Sequence, residues 1–145
     1  MKCITSFIFL CFTMLASAGG PLVSMSYGNS LRIPNNRIEI AIDATCALTV
    51  ETESKGRAKK TRRIQLSPEE SAQLKAHLES IDWKELGKEK TKGLDGSSVS
   101  ISYGGKAACV WSPDYETKKR GLVQFQKLTV KLFGMAGLKP DGMPK

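Results

Sequence analysis

The sequence predicts an α+β fold, an antiparallel sheet of four to five strands with two helices packed on one face. Three observations carry this. Ile38, Ile40, Ile42, Ala44, Cys46, Leu48 and Val50 alternate with more polar residues at period two, as a half-buried strand does. Ser67-Pro68-Glu69-Glu70 reads as a capping box with proline at the first helical position, where its missing donor is harmless. Val99, Ile101 and Tyr103 alternate ahead of Gly104-Gly105, and an amphipathic stretch follows over residues 117–136.

The long alternation is either one strand or two joined by a bend near Asp43-Ala44-Thr45. A further short strand holds Ile64 and Leu66 inward, with Arg63 and Gln65 outward. These two strands pair as a hairpin, and between them lies the most basic part of the chain. Lys55, Arg57, Lys59, Lys60, Arg62 and Arg63 fall within residues 55–63. No aromatic residue is interleaved among them, so they lack the stacking platform that single-stranded nucleic acid needs. They read as a solvated hairpin tip, with Glu51 and Glu53 across from Arg62 or Arg63.

The helix opened by the capping box carries a narrow apolar stripe of Leu74, Leu78 and Ile81 and ends near Asp82 or Trp83. His77 flanks that stripe as a partly exposed surface residue. Residues 84–98 read as a loop closed by the Asp95-Gly96 turn.

The second hairpin has two possible registers. A two-residue loop pairs Tyr103 with Lys106 and turns Cys109 away from the face of Val99 and Ile101. A three-residue loop pairs Ile101 with Cys109 and Val99 with Trp111, which buries Trp111. A disulfide between Cys46 and Cys109 argues for the longer loop, and the packing of the indole is an additional reason. The last helix places Leu122, Phe125, Leu128, Leu132 and Met135 on one face, with Gly137 as its cap and Pro140 as its stop.

The amino terminus bears on compartment. Met1-Lys2, the apolar residues 3–15 and Ala16-Ser17-Ala18 form a signal peptide, 1–18, with cleavage before Gly19. Residues 19–37, rich in Gly, Pro, Asn and Ser, read as a loose leader. Residues 38–138 make a single α+β domain, and 139–145 a tail. The protein is expected to be exported, periplasmic or secreted, with no transmembrane segment in the mature chain.

Loss of Lys2 with the signal lowers the net charge by one from the +8 of the whole chain. That balance favours anionic partners, an anionic envelope surface or another exported protein, and an exported chain has no use for a nuclear address. Nucleic acid is not an expected partner. Of the four cysteines, Cys46 and Cys109 remain after cleavage. In an oxidising compartment they are expected to pair, closing a loop of about 64 residues worth roughly 4 kcal/mol in the chain-entropy model.

Catalytic patterns are missing from the sequence. His77 is the sole histidine and belongs to no HExxH motif, so neither a histidine-based zinc site nor a Ser-His-Asp triad is supported. No phosphate loop or dinucleotide fingerprint is present. Asp43, Asp95 and Asp114 sit at turns, where such residues are turn formers. The chain is therefore expected to be no enzyme, with no cofactor and no metal.

The LSPEE helix start after a hairpin, and the succession GLDGSSVSI, VWSPD and GLVQFQKLTVKLFGMAGL, resemble small uncharacterised exported bacterial proteins across residues 38–138. The same hairpin-helix-hairpin-helix layout is similar to that of emfourin-like inhibitors of thermolysin-type metallopeptidases. This resemblance implies a peptidase-binding role as the alternative to a non-catalytic module that binds an anionic surface. Asp43-Ala44-Thr45-Cys46 stands where that group has a Gly-rich segment, so the resemblance assigns no inhibitory residue. For the binding module, the candidate contacts are the tip cations, with Lys84, Lys88, Lys90 and Lys92 as neighbours.

Overall fold

A computed structural model describes residues 20–29, 36–54 and 56–139. Six strands, β1 (Val23–Asn29), β2 (Asn36–Ile42), β3 (Ala47–Ser54), β4 (Lys60–Gln65), β5 (Ser97–Tyr103) and β6 (Lys106–Trp111), form one sheet. Its order is β4-β3-β2-β1-β5-β6, antiparallel throughout. Three helices, α1 (Pro68–Glu79), α2 (Trp83–Leu86) and α3 (Val123–Met135), complete the fold. The α+β class and the antiparallel sheet stand as expected, with one more strand and one more helix than the sequence suggested.

The additional strand is β1, drawn from the stretch read as a loose leader. It is no peripheral addition, because it pairs with β2 on one side and β5 on the other. Val23, Met25 and Tyr27 alternate into the core, at 2%, 1% and 7% exposure, while serines and Gly28 fill the other face. Those serines and glycine hid the period-two signal. The proposed signal peptide, residues 1–18, lies outside the described residues, as does the tail beyond Lys139.

β2 and β3 are two strands joined by a tight connection. Asp43 Oδ1 accepts hydrogen bonds from Thr45 N (2.8 Å), Thr45 Oγ1 (2.6 Å) and Ala47 N (3.1 Å), while Cys46 N donates to Asp43 O at 3.0 Å. The chain reverses there by placing Cys46 at φ 62°, in the left-handed region. Side-chain oxygens thus supply what the backbone of a sharp turn leaves unpaired.

The helices cover one face only. Ile38, Ile40, Ile42, Leu48, Val50, Val99, Ile101, Ala108 and Val110 meet Leu74, Leu78, Trp83, Leu86, Phe125, Leu128, Leu132 and Phe133 in a single core. Tyr27 and Phe133 pack edge to face at 5.3 Å between ring centroids, a favoured aromatic geometry. Burying each such aliphatic or aromatic side chain contributes about 1.5–3 kcal/mol.

α1 starts on the anticipated capping box. Ser67 Oγ accepts from Glu70 N at 3.1 Å, and the Glu70 carboxylate accepts from Ser67 N at 2.8 Å. Hydrogen bonding from the Ser67 amide, and after it from the Ser67 side chain, holds the Glu70 carboxyl below its ordinary range. His77 is half-buried, its Nε2 3.0 Å from the Gln124 carbonyl in the first turn of α3. α2 is a single turn capped by Asp82 that starts at Trp83, where the first helix was expected to end, and runs into the span 84–98 expected to be loop. Trp83 anchors it, donating from Nε1 to Leu78 O at 3.0 Å.

The second hairpin takes the shorter of the two registers, with Tyr103 opposite Lys106, Ile101 opposite Ala108 and Ser100 opposite Cys109. Gly104 and Gly105 both have positive φ, 53° and 77°. That is the conformation of the two-residue turn matching the natural twist of paired strands, and glycine reaches it without steric cost. Turn geometry therefore outweighs the packing argument for Trp111, which leaves the core face.

Trp111 finds cover on the opposite face. Its ring lies so close to Gly93 that a Cβ there falls 2.1 Å from Cζ2. Tyr115 stacks at its edge, 5.8 Å between centroids.

The shorter register also removes the expected disulfide. Cys46 and Cys109 are free thiols. β3 and β6 stand four strand spacings apart, about 19 Å at the usual interstrand distance, where a bridge needs Cα atoms within about 7 Å. Cys109 also lies on the solvent face, in register with Ser100.

The final helix begins at Val123 instead of near residue 117. Glu116 and Gly121 take positive φ, 46° and 68°, so residues 113–121 form a chain of turns. Arg120 holds them to the end of β6, as the next subsection describes. No helix of the described residues is long and apolar enough to cross a membrane.

Candidate functional site: the basic hairpin tip

β3 and β4 project the basic residues as a hairpin at one edge of the sheet. Glu51 faces Thr61 and Val50 faces Arg62 across the ladder. The tip turns at Gly56, whose φ of 77° suits glycine alone among unstrained residues. Arg57 N donates to Ser54 O at 2.9 Å and closes the turn. Lys55 lies outside the described residues.

The remaining cations divide into two sets. Three have partners within the fold. Lys59 Nζ reaches Glu51 at 2.5 Å, Arg63 reaches Asp43 at 3.1 Å, and Arg62 donates from Nη2 to the carbonyl of Ala136, at the C-terminal cap of α3. The expected pairing of Glu51 or Glu53 with Arg62 or Arg63 gives way to these contacts. Lys59, just ahead of β4, reaches past the facing position to Glu51, which stands opposite Thr61 in the ladder, and Asp43 lies in the β2–β3 turn. Asp43 is held below the ordinary carboxylate range by the Thr45 hydroxyl, then by the Ala47 amide and, more weakly, by Arg63.

Arg57 and Lys60 are different. Both are exposed and neither has an ion-pair partner among the described residues. Lys60 lies on the same sheet face as Arg62, opposite Thr52. It stands at the rim of an open groove of about 480 Å³ whose floor includes Val50 and Leu138. The site is thus a cationic rim beside a modest apolar trough.

Lys84, Lys88, Lys90 and Lys92 do not join it. α2 and the loop after it belong beside β6, at the opposite edge of the sheet from β4. The long connection through α1 carries the chain across the helical face, so proximity in sequence to the tip does not become proximity in space. Lys88 is also engaged, 2.5 Å from Glu85.

A second basic residue, overlooked in the sequence, is built into the fold. Arg120 donates from Nη1 to the carbonyls of Ser112 and Tyr115 and from Nη2 to that of Trp111, each at 2.8 Å. Its Nε lies 3.3 Å from Glu89. The two side chains are 7% and 10% exposed. The Thr91 hydrogen bond and, after it, Arg120 hold the Glu89 carboxyl below its ordinary range. One guanidinium therefore ties the loop after α2 and the turns before α3 to the end of β6.

On the solvent face of the sheet, a shallow depression of about 450 Å³ is bordered by Ser26, Glu39, Ser100 and Cys109. Ser24 and Ser102 bond through their hydroxyls at 2.6 Å, and Glu39 accepts from both Ser26 and Arg37 at 2.9 Å. Among the described residues no group of three or more His, Cys, Asp or Glu side chains converges to hold a metal ion. Comparison of the chain with protein-family models and with curated proteins found no match.

Proposed function

We propose that the protein acts outside the cytoplasm as a non-catalytic binding module whose hairpin tip contacts an anionic envelope component. The observation that supports this reading is the division among the tip cations. Lys59, Arg62 and Arg63 brace the hairpin, whereas Arg57 and Lys60 carry exposed charge that nothing in the described fold neutralises. Exposed unpaired cations contribute little to stability, yet they raise the local concentration of an anionic partner and steer its approach.

The groove beside Lys60 adds apolar surface at the point where the charge is presented. A partner with anionic groups on an apolar body matches both. Because contact runs through exposed charges, its strength should fall as salt shortens the Debye length from about 30 Å at 0.01 M to about 8 Å at 0.15 M.

Co-sedimentation with vesicles of anionic and of neutral lipid, across that salt range, tests the reading. The wild type should sediment with anionic vesicles at low salt and release as salt rises. A double substitution, Arg57→Gln with Lys60→Gln, should weaken binding more than Lys59→Gln with Arg63→Gln, although each removes the same charge. Equal losses would show that only net charge matters, and no binding at low salt would remove the anionic surface as a partner.

A further inference from the structure

The two edges of the sheet are defended very differently. β4 carries Lys60, Arg62 and Arg63, and charged side chains are a standard means by which an edge strand avoids pairing with another chain. β6 reads KAACVW, with its one charge at the first position.

Main-chain accounting shows what β6 leaves open. Ser112 N donates to Ser97 O at 2.6 Å, which fixes the alternation of the antiparallel ladder. Tyr103 with Lys106, Ile101 with Ala108, and Val99 with Val110 are the hydrogen-bonded pairs. Ala107, Cys109 and Trp111 therefore turn their amides and carbonyls away from β5. The Trp111 carbonyl is occupied by Arg120. Ala107 and Cys109 are exposed, and no described backbone group outside the ladder bonds to either.

We propose that β6 is a pairing edge at which two copies of this chain join antiparallel, making one sheet continuous through both. The register follows from the free groups. A two-fold axis at Ala108 sets Ala107 opposite Cys109 of the second copy, and Cys109 opposite its Ala107. Each of these residues then both donates and accepts across the junction, and the Trp111 carbonyl is not required.

Side chains permit the approach. The pairs that meet on the solvent face are alanine and cysteine, small and uncharged, and Lys106 falls opposite Val110 of the second copy instead of opposite its own equivalent. The same operation on β4 would bring arginines and lysines together. A second copy is thus favoured at one edge and repelled at the other, by the chain's own charge distribution.

Proline makes a selective test. At position 109 it removes an amide that points away from β5, so the hairpin keeps its ladder while the junction loses a donor. Analytical ultracentrifugation over a wide concentration range should show the wild type associating to a dimer, with amide exchange at Ala107 and Cys109 slowing as the dimer forms. Cys109→Pro should remain monomeric with an unchanged circular dichroism spectrum. Ala107→Lys, which retains every amide, should also abolish association, because the two introduced lysines fall diagonally across the junction on one face with both copies of Lys106 near by, and it serves should the proline variant fail to fold. A wild type that stays monomeric throughout, or a dimer that survives a folded variant of either kind, would overturn the proposal.

Discussion

Five described basic residues, Arg57, Lys59, Lys60, Arg62 and Arg63, crowd the β3–β4 hairpin, yet Arg120 at the end of β6 is the more deeply tied to the fold. The tip residues that have described partners are engaged mainly at the surface. Lys59 and Arg63 keep 56% and 68% of their side-chain surface, and pairs so exposed are worth about 0–1 kcal/mol each. Arg120 keeps 7%, is faced by a carboxylate and donates to three carbonyls. A cation inside the fold depends on its partners, because an unpaired buried charge is costly. Charge density along the sequence therefore does not mark where charge supports the structure, and geometry decides that.

The contrast breaks most visibly at Arg120. Arg120→Met removes the guanidinium while leaving an apolar stem of similar reach; Glu89 loses its ion-pair partner and keeps the Thr91 amide, and the Trp111 and Tyr115 carbonyls lose their donors. The expected loss is about 1.5–3 kcal/mol, the scale of hydrogen bonds to a charged group in a part-buried site, measured by urea unfolding. A loss below about 1 kcal/mol, the scale of an exposed pair, would place Arg120 in the same class as the tip.

The loop that Arg120 secures gives the next test. Gly93 lies against the Trp111 ring with no room for a Cβ. Gly93→Ala should force the ring or the loop aside at about 1–3 kcal/mol, the usual cost of overpacking. Indole fluorescence should change with it, which separates displacement of Trp111 from a purely backbone effect.

Much of the fold was legible from the sequence, and the misses share a cause. α1 was announced by the side chains of Ser67 and Glu70, and the core face of α3 by Phe125, Leu128 and Leu132, since both signals are local. β1 was concealed because serines and Gly28 on its outer face resemble loop composition, although its inner residues alternate. For β5 and β6 an expected Cys46–Cys109 bridge and the bulk of Trp111 both point to the longer loop, whereas the paired glycines specify the short turn that the structure takes. Arg120 gave no local signal at all. Its partners Glu89, Trp111, Ser112 and Tyr115 converge only after the loop and turns fold around the end of β6. The tip was readable as a tip, but the separation of Arg57 and Lys60 from Lys59, Arg62 and Arg63 depended on register and on where α3 ends.

A smaller effect is expected with acid. Asp43, Glu70 and Glu89 all have folded-state pKa values below their ordinary 3.8, 4.5 and 4.5. Each therefore favours the folded state above its ordinary value, and that contribution is lost as pH falls through the lowered folded-state value. Stability from these groups should be level from neutrality to about pH 5 and decline below the ordinary carboxylate values near 4. Glu89→Gln should flatten the decline, and an unchanged pH profile in that variant would remove the buried pair as a source of acid sensitivity.

The smallest effect on stability, and the largest on binding, is expected at the tip. Lys55, Arg57, Lys59 and Lys60 are all replaced by glutamine in one variant, and the unfolding free energy and anionic-vesicle binding are measured on the same preparation. The account predicts stability within about 1 kcal/mol of the wild type, as for exposed charges, together with loss of salt-sensitive binding. Binding that persists unchanged, or a variant that unfolds, would contradict the proposal that the exposed charges of the tip, Arg57 and Lys60 above all, serve a partner while Arg120 serves the fold.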